Sequence, residues 1–107
     1  MIKESKFQAD LIHELKETFP GCVVLKNDAN YIQGFPDLLL LYKDKWAALE
    51  CKRADKASHQ PNQDYYIQKL GSMSYAKFIH PDNRREVLDE LQQTFGLSGA
   101  TCISGSE

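Results

Sequence analysis

The chain has 107 residues, 42% of them hydrophobic and 26% charged, the size and composition of one globular domain with no room for two. No apolar run approaches the roughly 18 residues of a membrane helix, and the start MIKESKFQADL is charged from its third residue, so neither a membrane span nor a secretory signal is expected. A count of 13 Lys and Arg against 15 Asp and Glu gives a net charge of −2, which weighs against a general polyanion binder, while Cys22, Cys51 and Cys102 form no metal-ligand cluster and read as reduced thiols.

Residues 3 to 18 carry Phe7, Leu11, Ile12 and Leu15 at helical spacing, and Phe19-Pro20-Gly21 ends the run. Glu4 extends this apolar stripe instead of lying on the wet face. The β-branched CVVL at 22 to 25 predicts a short strand, and KNDANYIQG a loop closed by Gly34. Residues 37 to 43 form a continuous apolar run expected of a strand covered on both faces. With Asp44-Lys45 as the turn, Trp46 to Arg53 returns as its antiparallel partner. Asn62 to Met73 reads as a helix and YAKFIH at 75 to 80 as a strand. Pro81-Asp82 is the expected cap of a helix ending near Phe95. The order is α-β-β-β-α-β-α, an α/β fold, with the tail 96–107 unassigned.

The second strand of the hairpin poses a chemical problem. Side chains alternate along a strand, so Glu50 and Lys52 share one face while Leu49 and Cys51 share the other. A buried carboxylate and ammonium each cost several kcal/mol unless paired, hydrated or bound to a cation. Asp37 follows Pro36, whose ring suits the first position of a strand, and across the hairpin it can approach Glu50. Two adjacent carboxylates repel, but a divalent cation between them reverses that repulsion. Asp37, Glu50, a backbone carbonyl and water are hard oxygen donors, suited to Mg²⁺ or Mn²⁺. Lys52 beside them can stabilise an attacking hydroxide or a scissile phosphate. These are the parts of a phosphodiesterase site. Taken alone, Glu50-Cys51-Lys52 reads more readily as a surface ion pair, with Lys52 snorkelling from a strand end.

Pro36-Asp37, followed after twelve residues by Glu50-Cys51-Lys52, resembles the PD-(D/E)XK nuclease motif. Several further features are similar to the VRR-NUC branch of that superfamily: Glu4 on the first helix, Gly34-Phe35-Pro36-Asp37, Arg53 after the lysine, and Ser58 followed by Gln63 and Leu70. The likeness spans about residues 4 to 80, and Ser74 stands where the family often has glycine. It implies a restriction-endonuclease-like core, a mixed β-sheet flanked by helices. It implies also that Asp37, Glu50 and the Cys51 carbonyl hold Mg²⁺ or Mn²⁺, that Lys52 is the catalytic lysine, that Glu4 is a supporting acid and metal ligand, and that Gln63 is the family's glutamine. Gln60 competes for that last role.

The expectation is a metal-dependent endonuclease that cuts branched DNA such as Holliday junctions, in recombination or repair. It would act as a homodimer in the cytoplasm of a bacterial cell or phage-infected host, without membrane or nucleotide cofactor. Lys6, Lys43, Lys45, Arg53 and Lys56 are the expected phosphate contacts. Two rivals stand beside it: a nicking or restriction-like nuclease of linear duplex, and a catalytically silent DNA-binding module. Tyr65 and Tyr66 are expected in the core or an interface, Trp46 near the hairpin turn, and His13, His59 and His80 outside the chemistry.

Overall fold

The structure, a computed structural model, describes residues 3–28 and 30–97. Its elements are α1 (Glu4–Thr18), β1 (Val23–Lys26), β2 (Leu38–Tyr42), β3 (Lys45–Cys51), α2 (Gln63–Met73), β4 (Tyr75–Ile79) and α3 (Arg84–Thr94), in the order the sequence predicts. The four strands form one sheet, β1-β2-β3-β4. β1 and β2 are antiparallel, as are β2 and β3, while β4 runs parallel to β3 after the α2 crossover. This is a mixed sheet flanked by helices.

Register decides which residues share a face. Leu38 pairs with Leu49 and Leu40 with Ala47, so alternate β2 and β3 residues project to one side. There they meet Phe7, Leu11 and Leu15 of α1 and Val87, Leu88 and Leu91 of α3, forming one buried cluster. Phe19, Tyr42 and Phe95 close its end through ring contacts at 5.3 to 5.9 Å between centroids. Cys51 lies in this cluster and Cys22 packs against it half-buried; Cys102 lies outside the described residues.

On the opposite face α2 packs over β3 and β4, above the small residues Ala48 and Ala76, which face each other across the parallel pair. Among the described residues the β1–β2 half of that face is left open. Val23 is 50% and Leu25 48% exposed, and Leu39 and Leu41 beside them are half-buried. The apolar run of β2 is therefore fully covered on one face and only partly on the other, because α2 spans two strands and not four.

Three local expectations are corrected. Tyr42 pairs with Lys45, so the two turn residues are Lys43 and Asp44 instead of Asp44 and Lys45. Lys43 takes the left-handed conformation, φ +56, that closure of so short a turn demands. The cap of α3 is Asn83, not Pro81-Asp82. Its Oδ1 accepts the His80 N–H at 2.8 Å and its Nδ2 donates to the Phe78 carbonyl at 3.1 Å, binding the helix start back to β4. The third strand ends at Cys51 instead of Arg53, although the Lys52 N–H still donates to the Ile79 carbonyl at 2.8 Å. Gly96, at φ +80, ends α3 as a left-handed C-terminal residue. Residues 98–107 of the predicted tail lie outside the described residues.

Candidate active site

Asp37 sits one residue before β2 begins, where the regular β2–β3 ladder gives way to side-chain bonds. The Asp37 N–H donates to Glu50 Oε1 at 3.1 Å, and the Cys51 N–H donates to Asp37 Oδ2 at 3.0 Å. Each carboxylate is thus held by the backbone of the other's strand. That exchange needs a residue ahead of Asp37 that makes no ladder bond, and buried Pro36 has no N–H to leave unpaired. A strand residue presents its N–H and carbonyl toward the same side, so the Cys51 carbonyl faces the edge where Asp37 lies.

Gln63, the first residue of α2 and buried, joins the two remaining groups. Its Oε1 accepts from Lys52 Nζ at 2.7 Å and from the Gln60 N–H at 2.9 Å, and its Nε2 donates to Glu50 Oε2 at 2.8 Å. Two donors on Oε1 fix which end of the amide faces the lysine. Lys52 Nζ also donates to the Ser58 carbonyl at 3.1 Å, which leaves one of its three N–H bonds for an incoming oxygen. Of the two glutamines, Gln63 bridges Glu50 and Lys52, and Gln60 contributes its backbone N–H.

Burial raises the cost of charge here. Glu50 and Lys52 are 3% and 6% exposed. Burial, and after it the Asp37 carboxylate, push Glu50 up to about 8 against the pull of Lys52. Asp37 is raised by burial too, opposed by the Cys51 N–H and by Lys52. Glu4, in the first turn of α1, is raised by burial and by Asp37. It lines a cleft of about 340 Å³ together with Glu50, Lys52, Arg53 and Ser58. Among the described residues no group of three or more His, Cys, Asp or Glu side chains is arranged to hold a metal ion. An ion between Asp37 and Glu50 would take the Cys51 carbonyl and water as its other donors. The donor set fits such an ion, since it is all hard oxygen and its two carboxylates repel without one.

The predicted phosphate contacts are not one patch. Arg53 follows β3 and lines the cleft, Lys56 is exposed three residues on, and Lys6 lies on α1 paired with Asp10 at 3.1 Å. Lys43 and Lys45 sit at the hairpin turn, the opposite end of β2 and β3 from Asp37 and Lys52. Sequence neighbourhood hides this, because a hairpin sends its turn away from its ends. The aromatic wall beneath the lysine was missed. The Phe78 ring lies 5.9 Å from Lys52 Nζ, and His59 stacks on Phe78 at 4.1 Å while bonding Asp64 at 2.9 Å. Alternation in β4 puts Phe78 opposite Glu50, and that was the available signal. Tyr66 packs edge-on against Phe35 at 5.4 Å, whereas Tyr65 is 56% exposed.

One solved structure, a VRR_NUC domain protein, superposes with a TM-score of 0.65 over 91% of each chain at 17% sequence identity. The chain shares the fold of that domain. No protein-family profile and no curated protein sequence matches it. At that identity the likeness is one of architecture, and within the architecture Asp37, Glu50, Lys52 and Gln63 are joined by bonds that the fold alone does not require. None of the helices among the described residues is long and apolar enough to cross a membrane.

Proposed function

We propose that the protein is a metal-dependent DNA endonuclease that hydrolyses phosphodiester bonds, with branched DNA such as Holliday junctions as its substrate class. The observation that carries the proposal is the buried chain of bonds from Asp37 through Glu50 and Gln63 to Lys52. A scaffold without chemistry gains nothing from burying two carboxylates and an ammonium, because apolar residues of similar volume are often as stable or more so.

Asp37, Glu50 and the Cys51 carbonyl would hold Mg²⁺ or Mn²⁺, with Glu4 reaching the site from the adjoining cleft. When bound, the ion activates water and offsets phosphate charge. The third N–H of Lys52 meets the oxygen that gains negative charge, and Gln63 keeps that ammonium and the Glu50 carboxylate apart at fixed separation. A water oxygen bonds to phosphorus in line and gives up a proton to solvent as the bond to the leaving sugar oxygen breaks, and that sugar oxygen takes a proton from solvent. No covalent enzyme intermediate forms. Arg53 would meet a flanking phosphate from the charged cleft, with exposed Lys56 and Lys6 of α1 outside its lining as further phosphate contacts. A four-way junction has two strands to cut and each chain has one such site, so the active form is a homodimer.

The deciding experiment incubates the wild type and Asp37→Ala with junction, flap and linear duplex DNA, with and without Mg²⁺ or Mn²⁺. Cleavage should need the metal, favour the junction and disappear in the variant. If the wild type cuts no DNA with either metal, the enzyme reading is lost; if linear duplex is cut as fast as the junction, the substrate class is. Sedimentation of the full chain checks the dimer.

A further inference from the structure

Two clefts meet at Glu50, Gln60 and Gln63, and their chemistry differs. The cleft of about 340 Å³ carries Lys52 and Arg53, cationic groups that suit phosphates. The other, about 460 Å³, carries the amides of Asn30, Gln33 and Gln60 and the ring of Phe35. Among the described residues that line it, none is a lysine or arginine, and its charged members are Asp37 and Glu50. Away from the Asp37–Glu50 end, where an ion would meet the scissile phosphate, the lining offers a phosphate no cationic partner. Amides offer donor and acceptor together, the pairing that reads a base edge, and an aromatic ring supplies a stacking surface for any base. The volume falls within the roughly 300–1,000 Å³ of small-molecule sites.

The wall of this cleft is built rather than loose. Gly34, at φ +87, lies so close to the turn before α2 that a Cβ would stand 2.6 Å from Asn62 Cβ and 2.9 Å from the Pro61 carbonyl oxygen. Phe35 is held by Tyr66, and the Asn30 N–H by Asp28 Oδ1 at 2.9 Å. Neither bond uses the Asn30 or Gln33 amide.

We infer that this amide-lined cleft receives one unpaired nucleobase of the strand being cut, beside the scissile phosphate, and thereby selects DNA in which that nucleotide is already free of its partner. The inference rests on the nuclease reading above and names the feature of the substrate that the site recognises. A base inside continuous duplex must first leave the stack, so flaps, ends and branch points are favoured.

The test uses the full chain and a branched oligonucleotide whose cut is mapped, either intact or with an abasic tetrahydrofuran at one of the two nucleotides flanking the cut. A 2-aminopurine at the same position reports binding in the absence of metal. An abasic residue on one side of the cut should slow the wild type about tenfold, the scale of one lost stacking contact. Asn30→Ala/Gln33→Ala, both positions being exposed, should bring the intact-to-abasic ratio close to one. The 2-aminopurine signal should rise with the wild type and not with the double variant. Equal cutting of intact and abasic DNA by the wild type overturns the inference, as does a double variant that slows both equally. Without any cutting, a fluorescence rise lost in the double variant would sink the nuclease reading and keep the cleft; without that rise too, both fall.

Discussion

Gln63 is the residue on which the site turns, because among the described residues its side chain is bonded to both Glu50 and Lys52. Truncating it leaves Glu50 Oε2 without a donor and Lys52 Nζ with one acceptor fewer, both buried. Gln63→Ala should cost about 2–4 kcal/mol, read as a lower urea midpoint at unchanged slope, and should slow cleavage as Lys52 loses its position. Glu50 gives the pH dependence. Its folded value of about 8 lies above its ordinary 4.5, so the folded chain binds more protons than the unfolded one across that window. Stability without metal is therefore greatest below about pH 4.5, falls as pH rises toward 8 and is flat beyond, as far as this group is concerned. The expected fall is on the order of 2–4 kcal/mol. Urea melts of the wild type and Glu50→Gln across this range check it, and an equally steep loss in the variant would refute the assignment.

At the scale of elements, the loop from Asn27 to Phe35 and the start of α2 act as one wall, since Gly34 allows them to touch. Gly34→Ala meets backbone and Asn62 Cβ below 3 Å at a positive φ, and should lose about 1–3 kcal/mol. Cleavage should fall with it, and Gly21→Ala, also at positive φ but with nothing within 4 Å, should pay only the backbone strain in denaturant melts and keep its cleavage. Much of this level was legible in the chain. Alternation placed Glu50 and Lys52 on one face, Pro36 marked the start of a strand, and apolar spacing, β-branched and apolar runs and turn residues together gave the seven elements in order. What was hidden depends on long-range approach: which turn residues Lys43-Asp44 become, how the carboxylates exchange backbone bonds, and that Asn30 and Gln33 in a polar loop line a cleft. The sequence placed the start of α3 at Pro-Asp, a strong local signal, whereas Asn83 holds that position through its side-chain bonds to the His80 N–H and the Phe78 carbonyl and makes no side-chain cap bond to the helix.

For the whole molecule the net charge of −2 need not oppose the proposed function, in which DNA would meet the local charges of Lys6, Arg53 and Lys56. Removing Lys56 as Lys56→Ala should lower the slope of log affinity against log salt by roughly 0.7–0.9, one phosphate contact, in a titration at several salt concentrations. The topology has a further consequence, in time instead of space. Asp37 and Glu50 belong to a hairpin closed by two residues, whereas β3 meets β4 only after the chain has traversed α2, and Gln63 at the start of that helix is held against Lys52 once the helix packs on the two strands. Parallel pairing across so long a connection is slow to form. Refolding followed by Trp46 fluorescence should be slowed by Ala76→Gly, at the crossover contact, while Gln63→Ala chiefly hastens unfolding. The two acids come together early and their lysine clamp closes late, so the last contacts the chain makes in folding are the ones that complete its site.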